Sequence, residues 1–292
     1  MYSNSKTYLI LFGGVLALST SAIWVKTAVA PSAVIAFYRL LIAALVLFPA
    51  FLLRKQSRTE FRSLRKDQWL HIVFAGVLLA LHYVMWFESL NFTSIASSTV
   101  LVSLQPLFSL TLERFVQKKR IPAKALIGCM IALAGCVIIG FGDFQLDGLS
   151  LFGDVIAFLA AGVIALYFFV GERVRKEVSA VTYSTLAYLI SAITLLIYIT
   201  LQSAPLSGFS TQTWISFLGL SLVSTIGGQF IFNLLLKNVP ASAVTMSILG
   251  EPIGTCILAY LLLNESIALQ QFVGIVVIMT GMIIYFTTPR KN

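Results

Sequence analysis

Apolar stretches of about 20 residues recur from one end of this sequence to the other, and that recurrence decides what the chain can become. A helix rising about 1.5 Å per residue needs roughly 20 apolar residues to cross about 30 Å of hydrocarbon. Ten stretches qualify: 7–28, 31–53, 69–89, 94–116, 121–141, 151–172, 179–201, 213–236, 240–263 and 267–286. With 59% hydrophobic residues, 11% charged ones and a mean hydropathy of +0.95, the chain carries more apolar surface than a soluble domain of 292 residues can bury. The expectation is an all-α integral membrane protein of ten transmembrane helices. The first stretch exceeds the 7–15 apolar residues of a signal peptide, and its one A-x-A-like site, Ala28-Val29-Ala30, runs into Pro31, so it reads as a retained helix. Cys129, Cys136 and Cys256 all fall inside apolar stretches and form no disulfide framework.

A net charge of +9 raises the question of nucleic acid, and the placement of the charges answers it. With the stretches numbered alternately, one set of loops and ends holds 18 of the 20 basic residues. These include Arg54, Lys55, Arg58, Arg62, Arg65 and Lys66, then Arg114, Lys118, Lys119, Arg120 and Lys124, then Arg173, Arg175 and Lys176. The opposite set has only Lys26, near a helix end. Basic loops stay cytoplasmic during insertion, so both termini are expected in the cytoplasm. The charge reports topology and contact with an anionic bilayer, and no nucleic acid is expected as a partner.

A shift of 146 residues lays the fourth and fifth stretches on the ninth and tenth without a gap. Thr99 meets Thr245, Pro106 meets Pro252, Leu112 meets Leu258, Ile121 meets Ile267, Gly128 meets Gly274, Gly135 meets Gly281 and Ile138 meets Ile284. Matched proline and paired glycines at one offset point to a duplication, with halves at 1–143 and 144–292. Five stretches per half is an odd number, so the second half enters the membrane upside down. The loops agree: Lys118-Lys119-Arg120 lies over Asn264-Glu265-Ser266, opposite in charge character. Inverted repeats are a recurrent plan of secondary transporters, whose site lies near the midplane between the halves.

Glu251 stands about 11 residues from either end of its stretch. A carboxylate at that depth costs at least about 2.5–3.5 kcal/mol, so it must face a cavity, find a partner or hold a proton. Two readings stand: it couples protons or binds a substrate cation, or it glues two helices through a hydrogen bond. Pro252 frees the carbonyl of Ile248, and Gly250 and Gly254 flank it, making this point a hinge. Pro106 does the same to Val102 in the other half, with neutral Gln105 where Glu251 stands. A purely architectural kink is the alternative at both prolines.

Other candidates follow from depth and spacing. His82 and Trp86 share a face, being four apart, and His82 could relay protons or simply bond a neighbouring helix. Arg39, the deepest base, pairs with an acid such as Glu88 or holds a substrate carboxylate. Trp24, Tyr38, Tyr83, Trp86, Tyr167 and Phe230 are candidates to line an amphipathic cavity. Ser97, Ser98, Thr99, Ser103, Gln105 and Ser109 make the fourth stretch too polar to face lipid. With Ser19, Ser21, Ser224, Thr225, Gln229 and Asn233 they imply a central cavity of neutral donors and acceptors. Gly128 and Gly135, like Gly274 and Gly281, are two turns apart and mark a close-packing face. Metalloprotease, nucleophile-elbow and phosphate-loop signatures are absent, as are clustered Cys and His ligands, so the chain does not read as an enzyme and no cofactor is expected. Any uphill movement must then draw on an ion or solute gradient.

These residues resemble the EamA-type ten-helix proteins of the drug/metabolite transporter superfamily, over about residues 8–286. The resemblance is carried by PSAVIAFYRLLIAAL around Arg39, by SLNFTSIASSTVLVSLQPLF, and by SILGEPIGTCILAYLLLNE with the glycines that follow. The second half ends in the family's L-x-E as Leu263-Asn264-Glu265, and the aligned Gln117-Lys118-Lys119 departs from it. The resemblance implies a multi-pass protein of a bacterial inner membrane that exports amino acids or similar small amphipathic metabolites, commonly in exchange for protons. An importer or facilitator of an organic cation, a passive channel, and a non-transporting scaffold or sensor remain as alternatives. The small-molecule solute, the direction of flux, the stoichiometry and association into a homodimer are left open.

Overall fold

A computed structural model of the chain describes residues 5–93, 95–140, 148–263 and 268–289, and among these every regular element is helical. The chain begins with α1 (Ser5–Ser19) and α2 (Ser21–Thr27), followed by α3 (Ser32–Leu53), α4 (Lys55–Ser63) and α5 (Lys66–Ser89). It continues through α6 (Ile95–Val102), α7 (Gln105–Phe115), α8 (Ala123–Gly140), α9 (Gly148–Arg175) and α10 (Ala180–Leu201). Next come α11 (Thr211–Gly219), a π-helix (Leu220–Gln229), α12 (Phe230–Leu235), α13 (Ala241–Ile248), α14 (Glu251–Leu263) and α15 (Leu269–Thr287).

Among the described residues, 8 helical runs are long and apolar enough to cross a membrane. The count differs from the ten expected stretches for a local reason. The fourth stretch is divided into α6 and α7, each too short to span alone, and the fifth gives a shorter apolar helix at Ala123–Ile139. The expected Leu263-Asn264-Glu265 ending falls largely outside the described residues, as do Arg290 and Lys291. The loop after α3 holds an unexpected element, α4, whose sequence KQSRTEFRS is polar nearly all round.

Helix packing follows the small residues. A Cβ on Gly128 would stand 2.8 Å from the Gly281 carbonyl oxygen, and one on Gly135 2.8 Å from that of Gly274. The glycines of the fifth and tenth stretches therefore face one another, and α8 and α15 touch backbone to backbone. In lipid, where apolar burial gives no drive between helices, such close approach supplies the dispersion contacts that hold a pair together. α1 approaches the π-helix likewise, with a Cβ on Gly228 only 3.1 Å from the Gly14 carbonyl oxygen.

One end of the bundle gathers the basic loops and is tied by charged groups. Arg65 bridges Glu177 at 2.8 Å and Asp67 at 3.1 Å. Glu60 of α4 accepts from Thr182 Oγ1 at 2.7 Å and from the Ser179 N–H at 3.1 Å, capping α10 from another element. Arg175 donates to the carbonyls of Asn233, Leu234 and Val178. At the same end Glu172 accepts from the Ala241 N–H at 2.8 Å and Glu113 from the Ser242 N–H at 3.2 Å. These two acids, 4% and 1% exposed, supply the helix cap that Pro240 does not give to α13.

Candidate functional site

Three breaks in regular helix are stitched together, and each has a cause in the sequence. Between α1 and α2 the Thr20 hydroxyl donates to its own Ala17 carbonyl at 2.7 Å, competing with the backbone ladder. In the π-helix the Thr225 hydroxyl donates to the Leu220 carbonyl, five residues back, at 2.9 Å. Between α13 and α14 the ladder stops at Ile248, because Pro252 has no N–H to return to it, and the Gly250 N–H tightens onto Ser247 at 3.0 Å. Cross-links join them: Thr20 to Ser224 at 3.0 Å, and the Ser19 hydroxyl to the Glu251 carbonyl at 3.1 Å. Gly254 is required here, since a Cβ would collide with the Ser19 side chain. Ser19 could then no longer lie against the first turn of α14.

Glu251 is the first residue of α14, half-buried, where its carboxylate meets the positive end of its own helix. Facing it electrostatically is Arg39, 1% exposed. Arg39 Nε donates to Thr225 Oγ1 at 2.8 Å, and its guanidinium carbon lies 4.8 Å from the centre of the Tyr83 ring. The expected pairing of Arg39 with Glu88 is not formed. Glu88 instead accepts from Asn91 at 2.9 Å near the end of α5, while Arg39 donates to the π-helix. The two charges are not in ion-pair contact either. They are close enough to feel each other without bonding.

His82, Tyr83 and Trp86 lie on the same side of this group. His82 Nδ1 is 3.0 Å from the Ala160 carbonyl oxygen, and a carbonyl only accepts, so Nδ1 carries the proton. The imidazole stacks on Trp86 with ring centres 5.9 Å apart and is tilted against Tyr83 at 5.2 Å. Gln229 ends the π-helix beside Tyr167. Tyr167, Ser184 and Tyr188 are bound by the Asn233 amide at 2.7, 3.1 and 3.3 Å, a buried network on the far wall.

Gln105 begins α7 as Glu251 begins α14, with Pro106 and Pro252 next in line. Ser103, in the same break, donates to the Thr99 carbonyl at 2.8 Å. Trp24 belongs elsewhere: its ring lies flat against Gly219 of α11, where a Cβ would stand 2.5 Å from it. Among the described residues, several buried polar atoms have no hydrogen-bond partner: Arg39 Nη2, Trp86 Nε1, Gln105 Oε1, Ser109 Oγ and Gln229 Nε2. Each such group is worth about 1–3 kcal/mol to whatever polar molecule bonds it. The set holds both donors and acceptors, which is what an amphipathic solute with both kinds of polar group requires.

The reading of the sequence passed over four buried or half-buried acids: Glu60, Glu113, Asp154 and Glu172. Asp154 accepts from Thr93 at 2.7 Å and Ser97 at 2.6 Å, pinning α9 to the start of α6. All but Glu60 sit in the terminal turns of apolar stretches, which was the available signal. Their partners come from other helices, and no local pattern names those.

A model of the EamA-like transporter family matches residues 5–141 and again residues 151–287. The chain belongs to the EamA-like transporter family. The second match starts 146 residues after the first, the same displacement that superposes the glycines and prolines. This EamA-like chain is 28% identical over 232 residues to the uncharacterized transporter YwfM of Bacillus subtilis (strain 168), covering 77% of this chain and 75% of that one. An uncharacterized transporter of Archaeoglobus fulgidus is 26% identical over 300 residues, with 99% of both chains covered. A protein crystal structure shares the fold at a TM-score of 0.80 and 19% identity, covering 97% of this chain and 96% of the other. With its several apolar helices, this EamA-like protein is a multi-pass membrane protein of a transporter family.

Proposed function

We propose that this protein is a proton-coupled secondary transporter that exports amino acids or similar small amphipathic metabolites by alternating access between two inverted five-helix halves. The observation that carries the reading is the placement of Arg39 and Glu251. One charge comes from each half, each acts on the other without an ion pair, and Arg39 keeps Nη2 unpartnered among the described residues. A solute carboxylate fits the free Nη2 of Arg39, and an ammonium fits Glu251. When no ammonium is present, Glu251 takes a proton in its place, which is how solute and proton come to exclude one another.

The matching displacement of 146 residues in sequence and family match supports the two halves. Their inversion, ten helices and cytoplasmic termini rest on the basic loops. With those loops inside the cell, α7 and α13 are the inner halves of their spans and α6 and α14 the outer halves. α7 packs along α13, while α6 and α14 scarcely touch among the described residues. The conformer is thus closed toward the cytoplasm and loose toward the outside of a bacterial inner membrane. A guanidinium beside the acid disfavours an organic cation as the solute.

The test is reconstitution of the full chain in liposomes with an internal pH dye, comparing wild type with Glu251→Gln across a metabolite panel. Saturable solute-driven proton flux in the wild type that disappears in the variant is the expected result. Solute exchange that moves no protons in either protein overturns the coupling.

A further inference from the structure

Where α4, α10 and α12 meet at the basic end, they enclose a cavity of ≈ 400 Å³ that the transport reading does not use. Arg54, Lys176 and Lys237 line it, and none has a carboxylate within ion-pair distance among the described residues. Glu60 and Glu177 also line it, but both are engaged. Glu60 is bonded to Ser179, Thr182 and Gln56, and Glu177 to Arg65 and Gln68. With Arg175 also on the lining, four cations face two carboxylates, one of them already paired with Arg65, so the pocket keeps net positive charge.

Exposed apolar side chains adjoin it. Leu234, on the lining, is 44% exposed, and Leu53, adjoining Arg54, is 80% exposed. Both belong to long apolar helices, so the cavity opens where a bilayer's headgroups meet its acyl chains. Cations at headgroup depth beside apolar surface are the arrangement that selects an anionic lipid, since the phosphate gains charge-assisted bonds while the chains keep their hydrocarbon contacts.

We propose that this pocket seats the phosphate-bearing headgroup of an anionic membrane lipid, with Arg54, Lys176 and Lys237 on the phosphate and the acyl chains along Leu53 and Leu234. A free phosphate shares the headgroup's chemistry but not its chains. The occupied site ties α4 to the end of α12, beside the α9–α12 junction that Arg175 holds through the Asn233 and Leu234 carbonyls.

The experiment is native mass spectrometry of the full-length protein in detergent, titrated with phosphatidylglycerol, with phosphatidylcholine of identical chains, and with inorganic phosphate. Phosphatidylglycerol is expected to occupy one saturable site at least tenfold more tightly than phosphatidylcholine. Arg54→Gln/Lys176→Gln/Lys237→Gln should reduce that preference about tenfold, while Arg58→Gln/Arg62→Gln/Arg120→Gln, an equal charge change away from the pocket, should leave it. Equal retention of both lipids, or equal loss in both triple variants, overturns the site. Displacement of the lipid by millimolar phosphate overturns the lipid assignment in favour of a soluble anion. Matching melting curves for the two triple variants exclude misfolding as the cause.

Discussion

The breaks at Gln105-Pro106 and at Glu251-Pro252 are the same backbone event at equivalent positions of two halves, yet they do opposite work. Each begins a new helix one residue before a proline, and each leaves a polar side chain at the positive end of that helix. Gln105 is buried, with its oxygen unpartnered, and carries no charge. Glu251 is half-buried, carries a carboxylate and feels the charge of Arg39 without bonding to it. The comparison separates two things that duplication copies together: shape is kept by proline and glycine, while charge is set by single side chains that diverge without cost to the helix.

The largest expected effect breaks this contrast directly. Glu251→Gln makes the two breaks chemically alike and should cut solute-driven proton flux at least tenfold in liposomes. Adding Gln105→Glu returns a carboxylate to the membrane but on the other half, and should not restore coupling. Recovery in the double variant would mean that depth alone, and not the facing arginine, defines the site.

The halves also differ in which side of each break is packed. α7 meets α13, and the α13 N-terminus is held by Glu113 and Glu172, with Lys119 3.7 Å from Glu172. α6 and α14 scarcely touch among the described residues. Glu113→Gln/Glu172→Gln keeps an acceptor but gives up the charge on both bonds, a loss of about 1–3 kcal/mol where the group is buried. In a background lacking Cys129, Cys136 and Cys256, a cysteine at Ser109 should then react several-fold faster with an impermeant thiol reagent applied from the basic end. An unchanged rate would show that helix packing alone closes that end.

Much of this was legible in the chain, and the division follows physical lines. The apolar stretches, the offset of 146 and the proline breaks are periodic or local, so they can be read from sequence, and the double family match falls at the same displacement. That Gly128 and Gly135 would pack closely was readable; that they meet Gly281 and Gly274 was not, because a small-residue face does not name its partner. Arg39 shows the limit. Its depth marked it as needing an acid, but choosing Glu88 or Glu251 depends on which helices adjoin α3, and hydropathy is silent on that. The π-helix was equally hidden, since a hydroxyl that bonds five residues back instead of four leaves no spacing signature.

Where the halves remain interchangeable, equivalent substitutions should cost the same. Gly135→Ala and Gly281→Ala lie on opposite sides of one helix contact, and each forces a methyl against backbone. Overpacking of this kind costs about 1–3 kcal/mol. Both variants should lower the midpoint of thermal unfolding in detergent, by similar amounts. A large loss in one and none in the other would mean that α8 and α15 do not pack symmetrically.

The smallest effect lies at a pair of helix starts that the duplication has not kept alike. At the offset of 146, Ser179 before α10 corresponds to Ala33 at the start of α3, which follows Pro31 and has no side-chain cap. α10 has two, its own Ser179 and the carboxylate of Glu60. Partial burial pushes the Glu60 carboxyl up, but hydrogen bonds from Thr182, Ser179 and Gln56 outweigh it and hold it below the ordinary value of 4.5. A carboxyl depressed in the folded state stabilises the fold fully above the unfolded value, and that stabilisation is lost as pH falls through the lower folded value. With Glu60 part-exposed and screened, the effect stays within about 1 kcal/mol. Wild type should therefore lose more of its unfolding midpoint than Glu60→Gln between pH 6 and roughly pH 3, where carboxylates protonate. Identical slopes for the two proteins would mean that Ser179 alone caps α10, and that the two halves differ less at this end than their hydrogen bonds indicate.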